Sequence, residues 1–249
     1  MQDNSGASAR DYGFLMFLTL LNVMNFVDRQ LLARFANWIV SDLGLTNTEF
    51  GLLTGLIFII FYSVAGLFMG MLADKVNRTR LIAGGLALWS ALTALSGAAK
   101  GFVSLAIPRL FIGVGESIMT PTSMSLLADR FPSSRLGFAS GVYYMGVPVG
   151  VAASLIIVAY LEPILGWRGC FYALGGAGVL LAIVMLFIKE TPRKHEGEAA
   201  EPAEKPTVRE IMQILLGALR SSPALTLSLI HICRCRRRLR CRSRWSPYH

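Results

Sequence analysis

The chain has 249 residues, of which 54% are hydrophobic and 16% charged, and its mean hydropathy is +0.54. A soluble domain carries about 25% charged residues, so this composition excludes an ordinary soluble domain and favours a membrane protein. The formal net charge of +9 does not indicate nucleic-acid binding, because seven of the 24 basic residues are arginines within positions 234–244. Without those seven the formal charge is +2, so we expect no nucleic-acid partner.

Six apolar runs each have roughly the 20 residues that a helix needs to cross a bilayer. We predict spanning helices over about residues 12–39, 52–72, 81–99, 103–128, 136–161 and 170–188. The predicted fold class is therefore an all-α polytopic membrane protein with six transmembrane helices.

The basic residues of the short loops predict how this unit is oriented. Loops on one side of the membrane carry nine basic residues, whereas loops on the other side carry two, Lys100 and Arg168. Because basic loops face the cytoplasm, we expect both ends of the six-helix unit to be cytoplasmic, in a cell membrane (inner or plasma). The nine residues are Arg10, Lys75, Arg78, Arg80, Arg130, Arg135, Lys189, Arg193 and Lys194.

A change of composition near residue 190 divides the chain. We predict a cytoplasmic N-terminus at 1–11, a six-helix domain at 12–189 and a charged, flexible linker at 190–206. Residues 207–222 repeat apolar side chains at the helical period and are too short to span, which predicts an amphipathic helix at the membrane surface. Residues 223–249 form an aberrant basic tail.

Three interpretations of the tail remain open. His231, Cys233, Cys235 and Cys241 offer zinc ligands, but the Cys-x-Cys spacing is not the usual one, so we expect no metal. The arginines could instead bind anionic lipid. We favour the third interpretation, a truncated gene or a shifted reading frame, because nothing earlier in the chain resembles this composition.

The loop between the second and third predicted helices carries a motif. Its spacing, Gly-x-Leu-x-Asp-(Arg/Lys)-x-x-Arg-x-Arg, resembles the loop signature of the major facilitator superfamily of transporters. Asn77 stands where the general pattern has Gly, and Asn tolerates left-handed backbone better than most residues. The matching residues are Gly70, Leu72, Asp74, Lys75, Arg78 and Arg80. This resemblance implies one half of that fold, built from two inverted three-helix repeats.

Four charged residues lie inside predicted spans, where each costs about 3 kcal/mol on insertion scales. Asp28 and Arg29 are in the first helix, and Arg109 and Glu116 are in the fourth. Arg109 and Glu116 are seven residues apart and share one helical face. Together these groups can form a site that takes up and releases a proton, or a static ion-pair set that locks the fourth helix to the first.

Several motifs are similar to those of the Spinster-type branch of the superfamily. They are Asn25-Phe-Val-Asp28-Arg29, Arg109 with Gly113-Val-Gly115-Glu116, Gly146-x-Pro148-x-Gly150, and Gly166-Trp167-Arg168. The resemblance covers about residues 12–220. It implies that Asp28, Arg109 and Glu116 line a central cavity. Asp28 and Glu116 are then the candidates for proton coupling, Arg109 modulates Glu116 or holds an anionic head group, and Arg29 pairs locally.

The resemblance also implies a cytoplasmic gate. Asp74 and Arg78 would form its latch together with Asp129 and Arg135, and Gly70 and Arg80 belong to the same loop motif.

The function expected from the resemblance is secondary active transport, coupled to protons, by alternating access. Its substrate would be a small amphiphilic or organic anionic solute, with lysophospholipid-like molecules among the candidates. The partners would be the bilayer, the solute, protons, and a missing C-terminal six-helix half or a second copy of this chain. We expect no enzyme activity and no cofactor, because the three histidines lie outside the predicted spans. The alternatives are a non-transporting six-helix membrane protein whose basic tail binds lipid, and an inactive truncated fragment.

Overall fold

A computed structural model describes residues 8–193, and this part of the chain contains helices and no strands. The amphipathic helix predicted at 207–222, the basic tail and its zinc ligands lie outside the described residues. Within 8–193 no group of His, Cys, Asp and Glu side chains could hold a metal ion. The helices are α1 (Ala9–Arg34), α2 (Ala36–Leu43), α3 (Asn47–Thr54), α4 (Leu56–Lys75), α5 (Arg78–Gly97), α6 (Phe102–Ser117), α7 (Met119–Arg130) and α8 (Ser133–Leu186).

These helices give the six predicted crossings of an all-α membrane protein. By length and composition, four segments can span a membrane: Asn47–Lys75, Arg78–Gly97, Phe102–Arg130 and Ser133–Leu186. The last has 54 residues, about 80 Å of helix, which is far more than a bilayer needs. It breaks at Gly166, where φ is 65° and ψ is 173°, so it supplies two crossings. The α1 helix, whose charges lower its hydropathy, leads into α2 and forms the first crossing.

Several helices start earlier than the sequence predicted, and capping explains two of these starts. The first helix begins at Ala9 instead of residue 12, because Ser8 and Asp11 form a reciprocal capping box. The α5 helix begins at Arg78, where the Asn77 side chain accepts a hydrogen bond from the Arg80 N–H at 2.8 Å. Asn77 has a φ of −65°, so its role in the loop is to cap α5, and left-handed backbone is not required there.

Close helix contacts set the arrangement of the bundle. The α8 helix packs along both α1 and α5. A Cβ at Gly150 would lie 2.5 Å from the backbone oxygen of Val23, and one at Gly175 would lie 2.6 Å from that of Ser90. Glycine at these two positions lets the backbones approach. Large apolar side chains remain exposed along α4 and α8, as expected of surfaces that meet lipid or another protein.

Candidate functional site

A buried ion pair joins the first and fourth crossings. Glu116 lies midway along the α6–α7 crossing, and its side chain is fully buried. Arg29 of α1 donates two hydrogen bonds to the same Glu116 oxygen, Oε2, from Nη2 at 2.7 Å and from Nε at 3.0 Å. The Arg29 side chain is 22% exposed, so the pair can be reached from outside the bundle through its arginine.

Asp28 precedes Arg29 in α1 but faces another side, because successive helical residues are about 100° apart. Asp28 is 4% exposed, and among residues 8–193 neither carboxylate oxygen has a hydrogen-bond partner. The indole of Trp89 on α5 lies close by, and its N–H makes no hydrogen bond of good geometry to the described residues. Asp28 therefore lies in the interior against α5, behind the more exposed Arg29.

Arg109 does not pair with Glu116, although they share a helical face. Seven residues of helix rise about 10.5 Å, which separates the two side chains along α6. The crossing of α1 and α6 brings Arg29 opposite Glu116 instead. Arg109 is buried with its guanidinium carbon 4.5 Å from the centre of the Phe58 ring, and its Nη2 donates to the backbone oxygen of Arg29 at 3.3 Å. Arg29 thus makes the inter-helix pair that sequence reasoning had left as a local one.

Three aromatic rings surround the Arg29 guanidinium. Its central carbon lies 4.9 Å from the ring centre of Phe26, 5.0 Å from that of Phe58 and 4.7 Å from that of Tyr62. The sequence analysis gave Phe58 and Tyr62, which belong to a different helix from the arginine, no role in the site. Their spacing of four residues in α4 was the available signal, since it places two rings on one helical face.

A second cluster lies at the basic end of the bundle, the end that carries residues 75–80, 130–135 and 189–193. Arg78 is 1% exposed at the start of α5. Its guanidinium contacts Asp129 of α7 at 2.5 Å and Glu190 at 3.0 Å, and donates to the Ser125 hydroxyl and to the backbone oxygen of Thr191, each at 2.8 Å. Arg78 therefore ties α5 to α7 and to the segment that follows α8.

Only part of the predicted gate comes together in the described residues. Arg78 and Asp129 form their ion pair, whereas the Asp74 and Arg80 side chains are exposed. Arg135 donates to the Tyr12 hydroxyl of α1 at 3.0 Å and is not in the latch. At Gly70 a Cβ would meet nothing within 4 Å, so the α4–α5 packing seen here does not require glycine.

Residues 190–193, predicted as part of a flexible linker, hold the loop between α4 and α5. Glu190 bonds Arg78, and Arg193 donates to backbone oxygens at the end of α4, those of Ala73 (3.0 Å), Asp74 and Val76 (3.4 Å). The missed signal was a pair of opposite charges placed directly after a spanning helix.

At the opposite end of the bundle, Arg168 joins three segments. Its guanidinium donates to Asp42 at 2.8 Å and to the backbone oxygens of Gly97 and Ala99 at 3.0 and 2.6 Å. Trp167 donates to the same Asp42 oxygen at 3.2 Å and stacks under the guanidinium at 4.3 Å. The sequence analysis had counted Arg168 as a basic residue outside and as part of the Gly166-Trp167-Arg168 motif, without assigning it these contacts.

Comparison with known proteins identifies this arrangement. Residues 18–234 match the family model described as Major Facilitator Superfamily. The chain belongs to the Major Facilitator Superfamily. Members of this superfamily are transporters and not enzymes, and its six-helix halves account for the six crossings found here.

Within the superfamily, the chain is similar to Spinster proteins and to a probable L-galactonate transporter. It is 28% identical over 211 residues to the probable sphingolipid transporter spinster homolog 1 of Arabidopsis thaliana, covering 78% of this chain and 42% of the relative. It is 31% identical over 189 residues to the probable L-galactonate transporter of Escherichia coli, covering 76% and 42%. The resemblance to the Spinster-type branch is confirmed.

A solved structure supports the same assignment. The chain matches a bacterial homolog of the human lysosomal transporter Spinster, in an inward-facing and occupied conformation, with a TM-score of 0.67 and 29% identity. The match covers 76% of this chain and 46% of that structure. The chain therefore spans less than half the length of these three proteins, as expected of an N-terminal half of the superfamily fold.

Proposed function

We propose that the chain is the N-terminal half of a proton-coupled secondary transporter that moves a small amphiphilic or organic anionic solute by alternating access. The observation that carries this proposal is the buried pair of Arg29 and Glu116 beside the unpaired carboxylate of Asp28. Two carboxylates and two guanidiniums inside a membrane bundle are costly, and such groups commonly mark a substrate or proton pathway.

Proton coupling is supported by the different surroundings of the two acids. Glu116 has a cation against one oxygen, whereas neither Asp28 oxygen makes a hydrogen bond of good geometry with residues 8–193, although the Trp89 indole lies close by. An ionised carboxylate without a well-formed hydrogen bond in a low-dielectric interior is strongly unfavourable, and binding a proton removes that charge. Asp28 and Glu116 are therefore our two sites of proton uptake.

The proposed substrate class follows from the exposed side of Arg29. A guanidinium that is partly accessible and surrounded by rings can bind a carboxylate or phosphate beside an apolar group. The names of two relatives refer to L-galactonate, an organic anion, and to sphingolipids, which are amphiphiles. The Arg109 guanidinium is buried against the Phe58 ring, so we assign Arg109 a supporting role in the site and not direct substrate binding.

The proposed transporter contains a second six-helix unit. The exposed side chains of Asp74 and Arg80 are free of the Arg78 network and suited to a gate contact with a second six-helix unit. That unit is a C-terminal half or a second copy of this chain. We place the protein in the inner or plasma membrane of the cell, with the basic end of the bundle facing the cytoplasm.

The test measures proton-driven transport in liposomes by the full-length protein, meaning this six-helix half together with its C-terminal half. A pH gradient is imposed, and proton flux is followed with an internal pH-sensitive dye after addition of L-galactonate or a sphingoid phosphate. Glu116→Gln and Asp28→Asn should each abolish the substrate-evoked flux while membrane insertion is retained. Glu162→Gln, the same chemical change away from the cluster, should leave the flux unchanged. Normal flux in both cluster variants would refute proton coupling by these residues.

A further inference from the structure

The contact between Arg29 and Glu116 has an unusual form. A guanidinium and a carboxylate usually align as two forks, with two N–H groups meeting two oxygens. Here Nη2 and Nε both donate to Oε2, and Oε1 has no hydrogen-bond partner among residues 8–193. The acid alone therefore does not explain the orientation of the guanidinium.

Besides Glu116, Arg29 Nη2 donates to Asn25 Oδ1 at 3.4 Å, and three aromatic rings make up the rest of the surroundings of the guanidinium. The guanidinium carbon lies within 5.0 Å of the ring centres of Phe26, Phe58 and Tyr62, inside the range of cation–π attraction. The Phe58 and Tyr62 rings are nearly parallel, with centroids 5.6 Å apart and an interplanar angle of 24°. They therefore present a common surface to Arg29.

Close packing of α4 against α6 holds these rings beside Glu116. A Cβ at Gly113 would lie 3.1 Å from the backbone oxygen of Phe58 and 3.2 Å from the backbone nitrogen of Tyr62. Gly113 is about one helical turn before Glu116, so the rings and the carboxylate are brought to the same level of the bundle. Phe58 is itself buried, and its ring also contacts the guanidinium of Arg109.

We propose that Phe26, Phe58 and Tyr62 form an aromatic cage that positions the Arg29 guanidinium independently of its ion pair with Glu116. When Glu116 turns away or loses its charge, the cage keeps Arg29 in place, with its accessible side available to an anion. The three aromatic residues are positioning residues. The use of the positioned guanidinium in substrate binding rests on the proposed function, whereas the positioning itself does not.

The experiment is a double-mutant cycle on thermal unfolding, which needs no substrate. The full-length protein is purified in detergent with Arg29→Met, Tyr62→Leu and both changes together, each with Glu116 intact and with Glu116→Gln. Arg29→Met removes the guanidinium and keeps an apolar stem. Tyr62→Phe keeps the ring and removes only the hydroxyl, which also lies against Arg29, so it separates the contribution of the ring from that of the hydroxyl.

In the Glu116→Gln background, we expect Tyr62→Leu to lower the unfolding midpoint by about 2–4 °C when Arg29 is present, and by clearly less in combination with Arg29→Met. Tyr62→Phe should lower the midpoint by clearly less than Tyr62→Leu, because the ring is retained and only the hydroxyl beside Arg29 is lost. Equal losses with and without Arg29, or a coupling that disappears once Glu116 is replaced, would overturn the cage.

A transport measurement separates this inference from the proposed function. If the full-length protein transports an anion, Tyr62→Leu should raise KM several-fold while the maximal rate at saturating substrate is kept, and Tyr62→Phe should not. A raised KM without the thermal coupling would also contradict the cage. Absence of any transport, with the thermal coupling present, would refute the proposed function and leave the positioning of Arg29 established.

Discussion

Arg78, at the start of α5, and Asp129, at the end of α7, form an ion pair in which the arginine side chain is 2% exposed and the aspartate side chain 12% exposed. Glu190 completes the pair from the segment after α8. One guanidinium therefore satisfies acids from two separate parts of the chain. Its loss would leave them without this cation.

Replacement of Arg78 tests the importance of this network. We expect Arg78→Ala to lower the free energy of unfolding by about 3 kcal/mol, because the loss of this almost fully buried side chain removes two ion pairs and two hydrogen bonds at once. The measurement is thermal unfolding of the purified full-length protein. Arg80→Ala, in the same loop with an exposed side chain, should change stability by no more than about 0.5 kcal/mol. Similar losses in both variants would contradict the assigned role of Arg78.

Arg193 should protect the last turn of α4. It donates to the backbone oxygens of Ala73, Asp74 and Val76, and a cation at the C-terminus of a helix contributes about 0.3–1 kcal/mol. Arg193→Ala should therefore speed hydrogen exchange at residues 73–76 by about two- to five-fold. Lys189→Ala, an exposed change in the neighbouring segment, should leave that exchange unchanged. Unaltered exchange with Arg193→Ala would show that the contacts are not stabilising.

The break in α8 should depend on glycine at position 166. With φ at 65° and ψ at 173°, Gly166 occupies backbone space that is essentially open only to glycine. Gly166→Ala should cost about 1–3 kcal/mol of stability, measured as a fall in the unfolding midpoint. Gly176→Ala is the matched control, because this residue lies inside the helix and a Cβ there meets nothing within 4 Å. That change should be neutral or slightly stabilising.

Replacing Arg168 should destabilise the protein more than replacing its ion-pair partner Asp42. Both side chains are partly exposed, so their ion pair alone is worth at most about 1 kcal/mol. Arg168 also bonds the backbone oxygens of Gly97 and Ala99, which Asp42 does not contact. We therefore expect Arg168→Ala to lower the unfolding midpoint more than Asp42→Asn does. Equal falls in the unfolding midpoint would mean that the contacts of Arg168 with the backbone oxygens do not stabilise the protein.

The sequence predicted those features that depend on local composition. Apolar runs located the six crossings, and charges within those runs located Asp28, Arg29, Arg109 and Glu116. Their pairing was not predictable, because it depends on where α1 crosses α6. Helical spacing favoured Arg109 as the partner of Glu116, whereas the crossing brings Arg29 there.

The segment after α8 shows a second limit. Glu190 and Arg193 were assigned to a linker because charged residues and prolines follow them. Their contacts are with Arg78 and with backbone oxygens at the end of α4, more than 110 residues earlier in the chain. Backbone acceptors carry no sequence signal, so composition could not reveal that these residues are held.

The contacts of Arg78 and Arg168 lie at opposite ends of the same bundle, and the unpaired polar atoms of Asp28 and Trp89 lie between them. Polar contacts thus hold the helices together at both ends of the bundle, whereas the polar atoms of Asp28 and Trp89 halfway between lack hydrogen bonds among the described residues. A force applied at either end would tilt the six-helix unit as a whole, because the contacts at both ends resist separation of the helices.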